Sequence, residues 1–458
     1  MGNQRLRCPP NKTNLKGLNS NDFISRMPDD ILIMVLSRLS VKEAVVTSIL
    51  STRWRFLWCN LKTLNFDARQ ALDNIDNDFR FYLSERYKYT KQVNGVIRSY
   101  NHPTLHHFRI RFYLTCEYTS VIDEWLKFAV KKKVESLELD LETNQKNYLH
   151  NTFNYSFPSR LSDKSTSHIL IFPSANLESL KKLYLNSVNM REAVLGELLT
   201  KSPHLESISI HGSGYLTHIH VGGRDLKLKH FEIMECPHVV SVYLSDFGIE
   251  SFAYVGQPID LHLSGLPNLK NVVMSQGVAG LSNIVFGQIS SCASTLQTLS
   301  FKIYHPMKIA KLYSIRQLPN IRKLTLTIVV RRDNCLLDFA SLVNVFPNIQ
   351  TFTIKLLRFS LMGRRRKLTY RAAAHHHEHL KLFQILGYYG GIGDLELAAY
   401  MLQNANALEK IVIDPRTQLD KAIKATKDFS ENNEEVARSS ARLQLLPLLP
   451  QGVELVIL

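Results

Sequence analysis

The residues best placed to do chemistry are a histidine run, a glycine-rich turn, a serine between glycines, and two tryptophans set among arginines. In "HHHEH" (375–379), His375 and His379 stand one helical turn apart, as two metal ligands on a helix would. The run is not H-E-x-x-H, and spacing fixes no third ligand. Gly391 and Gly393 form G-x-G after a predicted strand, and Asp414 closes the next strand about twenty residues later, as in a dinucleotide-binding unit. Glu396 occupies the third glycine's place, and its carboxylate would oppose a pyrophosphate. "HGSGYLTH" (211–218) lacks the spacing of a nucleophile elbow. Neither a phosphate-binding loop nor paired carboxylates nor a Cys/His nucleophile can be named. The expectation is a non-enzymatic protein with no metal and no cofactor.

"ILSTRWRFLW" (49–58) holds Trp54 and Trp58 beside Arg53 and Arg55, and raises three readings: core, a nucleic-acid grip or a protein-binding surface. The formal charge of +16, with "KKK" (131–133), "RR" (331–332) and "RRRK" (364–367), favours acidic partners. These clusters are scattered and sit in no recognisable nucleic-acid-binding motif, so solvated surface is the preferred reading. A chain of 458 residues with 45% hydrophobic and 21% charged residues holds two or three domains, or one domain and a repeat array. It has no apolar run long enough to span a membrane, which predicts a soluble protein. Residues 1–20 read as a flexible arm without a secretory apolar region. Six widely spaced cysteines predict a reducing, intracellular setting, nuclear or cytoplasmic.

These residues need elements to position them, and internal periodicity supplies those elements. An aliphatic-x-x-aliphatic-x-aliphatic pattern recurs in "LKTLNF" (61), "LHHFRI" (105), "VESLEL" (134), "LKKLYL" (180), "LESISI" (205), "LKHFEI" (228), "LKNVVM" (269), "LQTLSF" (296), "IRKLTL" (321), "IQTFTI" (349) and "LEKIVI" (408). Such runs are common by chance, but their flanks are not. Five strand-like runs follow Pro and then Asn or His, at 203, 237, 267, 319 and 347, where sixteen prolines would give on the order of one. Proline stops a preceding helix, the polar residue turns the chain, and the alternation makes a strand with one buried face. Stacked units bury that face together in a curved solenoid with a parallel sheet on its concave side. The spacing is that of leucine-rich repeats, with Cys236 at an expected Asn/Cys position. Residues alternating with the buried aliphatics face the concavity. Lys182, Tyr184, Ser207, Ser209, Lys323, Thr325, Thr351 and Thr353 are therefore candidate contacts to a target. Residues 67–104 and 140–176 interrupt the period.

Residues 22–58 read as three short helices. Pro28 precedes Asp29 and Asp30, which suit a helix N-terminus; Ser40 and Glu43 form a capping box; a third helix runs from about Ser51 through Trp58. Some forty residues cannot bury Ile31, Leu32, Met34, Val35, Leu36 and Leu39 alone, so either the first repeat or an outside partner covers them. The run Pro28-Asp29-Asp30-Ile31-Leu32, Leu36-Ser37-Arg38-Leu39, Lys42-Glu43-Ala44, Thr47-Ser48-Ile49-Leu50-Ser51 and Arg53-Trp54-Arg55 resembles the F-box of plant F-box/leucine-rich-repeat proteins, with Met27 in place of the usual leucine. Residues 379–415, with an L-K run ending in Gly-Tyr and "NALEKIVI", resemble the FBD region that ends many of these proteins.

The resemblance implies an α/β fold: a three-helix F-box (21–59), a curved leucine-rich-repeat solenoid (60–369) and an FBD-like region (370–458) continuing or capping it. It also implies a substrate receptor of a Skp-cullin-F-box (SCF) ubiquitin ligase. The F-box would bind a Skp-type adaptor through Met27, Pro28, Ile31, Leu32, Leu36, Leu39 and Trp54, and through it cullin and RING subunits. The repeats would hold an unknown target protein. The alternative is a repeat scaffold without ubiquitin transfer. On this reading Trp54 closes the helical module and Trp58 packs toward "LKTLNF".

Overall fold

Alternating aliphatic residues, each run entered from a turn, become parallel strands. The computed structural model describes residues 23–142, 154–158, 177–276, 283–303, 317–330, 336–358, 376–416, 418 and 431–458. Among these, fourteen strands form one sheet in chain order, from Thr63–Asp67 and His107–Arg111 to Lys410–Asp414 and Glu454–Ile457. Each neighbouring pair is parallel. All eleven aliphatic runs supply a strand. Leu382–Leu386 is the strand predicted before Gly391 and Glu454–Ile457 closes the sheet, whereas Ser251–Gly256 escapes the pattern because Tyr254 takes the third aliphatic place.

Register aligns one buried row through the solenoid: Leu64, Phe108, Leu137, Leu183, Ile208, Phe231 and Phe252, continuing through Val272, Leu299, Leu324, Phe352, Phe383 and Ile411. Each repeat thus covers its neighbour's apolar face, as a one-dimensional array requires. Stacked rings at Phe231–Phe252 and Phe352–Phe383, with centroids 6.2 and 5.4 Å apart, continue this row. Cys236 is buried with its thiol 3.4 Å from the Met234 carbonyl and 3.8 Å from that of Ile210, and burial pushes its pKa up to about 12.

Return segments on the convex side are helical where the repeats are long, as in Tyr82–Ser99, Thr119–Lys131 and Glu192–Lys201. The interruption at 67–104 is such an insertion, made of Arg69–Asn77 and Tyr82–Ser99. Between Ser207 and Ser264 they are strands instead. His218–Gly222, Ser241–Ser245 and Asp260–Ser264 form a second parallel sheet. Main-sheet strands here begin at Ser207, His230, Ser251 and Asn271, so few residues separate them, and an extended return spans more distance per residue than a helix. "PHVVSVYL" accordingly enters this convex sheet, not the concave one predicted for the Pro-Asn/His runs.

At the N-terminus the helices are Asp29–Leu36 and Val41–Val46, and the Ser40–Glu43 capping box is formed in both directions. The third segment is a tight 3-10 turn at Trp54–Asn60, not the helix expected from Ser51. At the other end, "GYYGGIG" turns into the helix Ile392–Asn404. Gly387 has φ +83°, and a Cβ there would collide with the Leu356 carbonyl.

Candidate docking and recognition surfaces

Packing divides the expected adaptor-binding residues into two groups. Leu32 and Leu36 are 1% exposed, and Trp54 is also buried, so these three fill the module's interior and are not free contacts. Met27, Pro28, Ile31 and Leu39 lie on the surface. Met34, Val35, Ile49 and Leu50 are exposed as well, giving one small module many uncovered large apolar side chains. The same periodicity predicts them, since a helix with a filled inner face and apolar outer positions has two contact surfaces.

Arg53 is engaged within the module. Its guanidinium binds the Asp29 carboxylate at 2.6–2.8 Å and also donates to the Met27 carbonyl, tying the 3-10 turn to the start of the first helix. Trp58 is buried, and the next residues anchor the module to the solenoid: Cys59 Sγ donates to the Ser99 carbonyl and Tyr100 OH to that of Leu61.

The concave face has a middle row that reads, strand by strand, Asn65, Arg109, Glu138, Tyr184, Ser209, Glu232, Ala253, Val273, Ser300, Thr325, Thr353, Gln384 and Val412. All eight predicted target residues lie on this face, in two groups. Lys182 and Ser207 are register partners, as are Tyr184 and Ser209. Lys323 pairs with Thr351 and Thr325 with Thr353. Thr353 is the exception as a contact: it is buried and donates to Gln384 Oε1 at 2.8 Å.

Around the first group lies a lattice of charges. Arg109 Nε is 2.9 Å from Glu138, while Arg111 bridges Asp140 at 3.2 Å and Asp67 at 3.4 Å. Asn186 donates to both Asp140 and Glu142. Ser209 donates to Glu232, whose other oxygen is 3.6 Å from His211 Nε2, and Tyr184 meets the His211 ring edge-on at 5.0 Å. Burial raises the Glu138 pKa, against the pull of Arg109. His211, then the Ser209 hydroxyl and the field of Lys302, hold Glu232 below the ordinary carboxylate range despite its burial. Burial, then the neighbouring Arg109 and Lys182, lower the His107 pKa. The alternation rule that selected Tyr184 and Ser209 also reaches Arg109, Glu138 and Glu232, which occupy the same place in their runs.

The glycine-rich turn and the serine between glycines resolve as structure. Asp394 sits at the N-terminus of the helix Ile392–Asn404, accepting from the Tyr389 and Gly391 amides and pairing with Arg358, where a pyrophosphate would need to lie. Ser213 is buried and accepts from the Met190 amide. His375 falls outside the described residues, as do "RR" and "RRRK"; His377 is buried against Tyr400, and His376 and His379 are exposed. Among the described residues no group of three or more His, Cys, Asp or Glu could hold a metal, and no helix is long and apolar enough to cross a membrane.

A helical module with an apolar outer surface, followed by a parallel-stranded leucine-rich-repeat solenoid, defines an F-box/leucine-rich-repeat architecture. Residues 24–66 match the F-box domain model, and residues 97–444 match the family described as "At1g61320/AtMIF1, LRR domain". The chain belongs to this leucine-rich-repeat family and carries an F-box ahead of the repeats. Similar proteins come from Arabidopsis thaliana. "Putative F-box/LRR-repeat protein At1g56400" is 22% identical over 447 residues, covering 84% of this chain and 86% of the relative. "Putative F-box protein At3g44060" is 25% identical over 439 residues, covering 88% and 96%. "F-box/LRR-repeat protein At5g02910" is 28% identical over 198 residues, covering 42% and 39%.

Proposed function

We propose that this chain is the target receptor of an SCF-type ubiquitin ligase, acting without a catalytic residue of its own. The F-box surface binds a Skp-type adaptor, which brings cullin and RING subunits, and the concave face holds the target. Holding the target beside an activated ubiquitin donor raises their effective concentration, which is the whole of the chain's contribution to the transfer. With this reading go the division at 21–59, 60–369 and 370–458, the FBD-like character of the last part, and a nuclear or cytoplasmic setting.

The observation that carries the proposal is the F-box exterior. Leu32, Leu36 and Trp54 already fill the module, yet Ile31, Met34, Val35 and Ile49 remain 40–82% exposed. Met27, Pro28, Ile31 and Leu39 are the adaptor contacts retained, joined by Met34 and Val35 on the same helix.

The test is capture of a purified Skp-type adaptor by wild type and by Ile31→Asp/Met34→Asp, with unchanged melting as the folding control. Loss of a buried apolar anchor pair weakens binding by at least about 10-fold. Undiminished capture overturns the adaptor assignment. Leu32→Asp is the wrong probe, because a charge at that buried position unfolds the module. Co-purification of a cullin separates the ligase receptor from a repeat scaffold without ubiquitin transfer.

A further inference from the structure

We infer that the C-terminal half of the concave face recognises an acidic, extended segment of the target. This rests on the concave face being the target-holding surface, and it names the chemistry that surface selects.

From Ala253 onward the middle row is uncharged: Ala253, Val273, Ser300, Thr325, Thr353 and Gln384. Cations flank it on both sides. Lys302, Thr327 and Lys355 are register partners on one side, and Lys323 lies two residues before Thr325 on the other. Neighbouring strands are roughly 4.8 Å apart, so the Lys302 and Lys355 backbones are separated by about 10 Å with Lys323 diagonally opposite. Among the described residues none of the three has an ion-pair partner within 4 Å. Arg109, Arg111 and their acids are, by contrast, bound to one another. The field of Lys302 does reach Glu232, at the border of the two halves.

A second observation points to a ligand at the same place. Ser275 is one residue past the Met274–Phe301 register pair, and Lys302 is one residue past it on the partner strand. Ser275 is 4% exposed, and among the described residues its hydroxyl has no hydrogen-bond partner. A buried unpaired hydroxyl beside an unpaired ammonium suits an incoming carboxylate, which accepts from both. Carboxylates on alternate residues of an extended chain recur about every 7 Å on one side, a spacing that flexible lysine tips can follow.

The experiment uses the full chain and a fluorescein-labelled extended peptide of about 12 residues with glutamate at alternate positions, read by anisotropy at about 100 mM salt. Matched peptides carry glutamine or lysine instead of glutamate, and a single-stranded oligonucleotide carries equal negative charge. The glutamate peptide is expected to bind at least about 10-fold tighter than the glutamine peptide and to weaken as salt rises. Lys302→Glu/Lys323→Glu/Lys355→Glu is expected to lose that preference. A milder triple change to glutamine reduces it in the same direction. Reversal of the exposed Lys62, Lys131 and Lys227, away from the concave face, leaves it within about 2-fold.

Equal loss in both triple-reversal variants overturns the inference, because it would mean that net charge alone attracts the peptide. So does an unchanged preference in the concave variant, or tighter binding of the oligonucleotide at the same lysines. Adaptor capture is measured on every variant. Its retention with peptide discrimination lost confirms the local assignment, while its absence in wild type breaks the receptor reading without touching the peptide result.

Discussion

Behind Arg109 and behind Thr325 the repeats are built alike: Phe108 and Ile110 are fully buried at one place, Leu324 and Leu326 at the other, in continuous parallel register. In front they differ. The first six strands bear Asp67, Arg109, Arg111, Glu138, Asp140 and Glu232, engaged with one another or with nearby hydroxyl, amide and imidazole groups. The later strands bear mostly hydroxyls and small aliphatics, and among the described residues Lys302, Lys323 and Lys355 have no ion-pair partner within 4 Å, although Thr353 donates to Gln384 and Lys410 pairs with Glu454 at the far end. The contrast shows that a solenoid separates its two tasks by strand alternation. One set of side chains builds the array; the other can bind itself or be left for a ligand.

Equal support beneath the two halves is the claim with the largest expected effect. Phe108→Ala and Phe352→Ala each remove a fully buried ring from the shared row and should each cost about 3–5 kcal/mol in chemical denaturation. A much smaller loss at Phe352 would show that the second half is loosely packed, and its free surface would then reflect weak structure. The surface difference predicts smaller, unequal effects. Arg109→Ala leaves the half-buried Glu138 carboxylate without its closest cation and should cost about 1–3 kcal/mol, whereas Thr325→Ala should stay within about 0.5 kcal/mol. Matching losses would erase the distinction between a self-paired and an open half.

How far this was legible in the sequence depends on how local the determinant is. Strand positions and their inward faces follow from a two-residue alternation, so all eleven aliphatic runs are strands, and the concave positions of Lys182 through Thr353 follow with them. The Ser40–Glu43 cap is equally local. The convex sheet was not legible, because "PHVVSVYL" carries the same signals as the concave runs and only the crowding of short repeats assigns it to the back. There the rings of His220, Tyr243 and His262 stack 4.4–4.6 Å apart, a ladder visible only once three separate strands are in register. The division of the F-box apolars into interior and exterior failed for the same reason. Leu32, Leu36 and Ile31 are alike in type, and only packing against the Trp54 turn tells them apart.

The smallest effect, and the finest probe of the first half, is its acid titration. Glu232 has a folded pKa below its ordinary value of 4.5, held there first by His211. The folded chain therefore binds fewer protons than the unfolded one, so this carboxylate's contribution is present above 4.5 and fades as pH falls through the folded value. Glu138 runs the other way. Burial raises its pKa above 4.5, so its contribution is fully present below that value and is lost as pH rises through the folded value. In melting scans over about pH 3 to 6, Glu232→Gln should flatten the acid-side loss of stability and Glu138→Gln should steepen it, while Thr325→Ala follows wild type. Opposite signs from two carboxylates on the same face show that burial outweighs the pull of Arg109 at Glu138, whereas His211 outweighs burial at Glu232. If both variants flatten the profile, pairing with Arg109 prevails over burial at Glu138 as well, and the first half is more strongly self-paired than its burial implies.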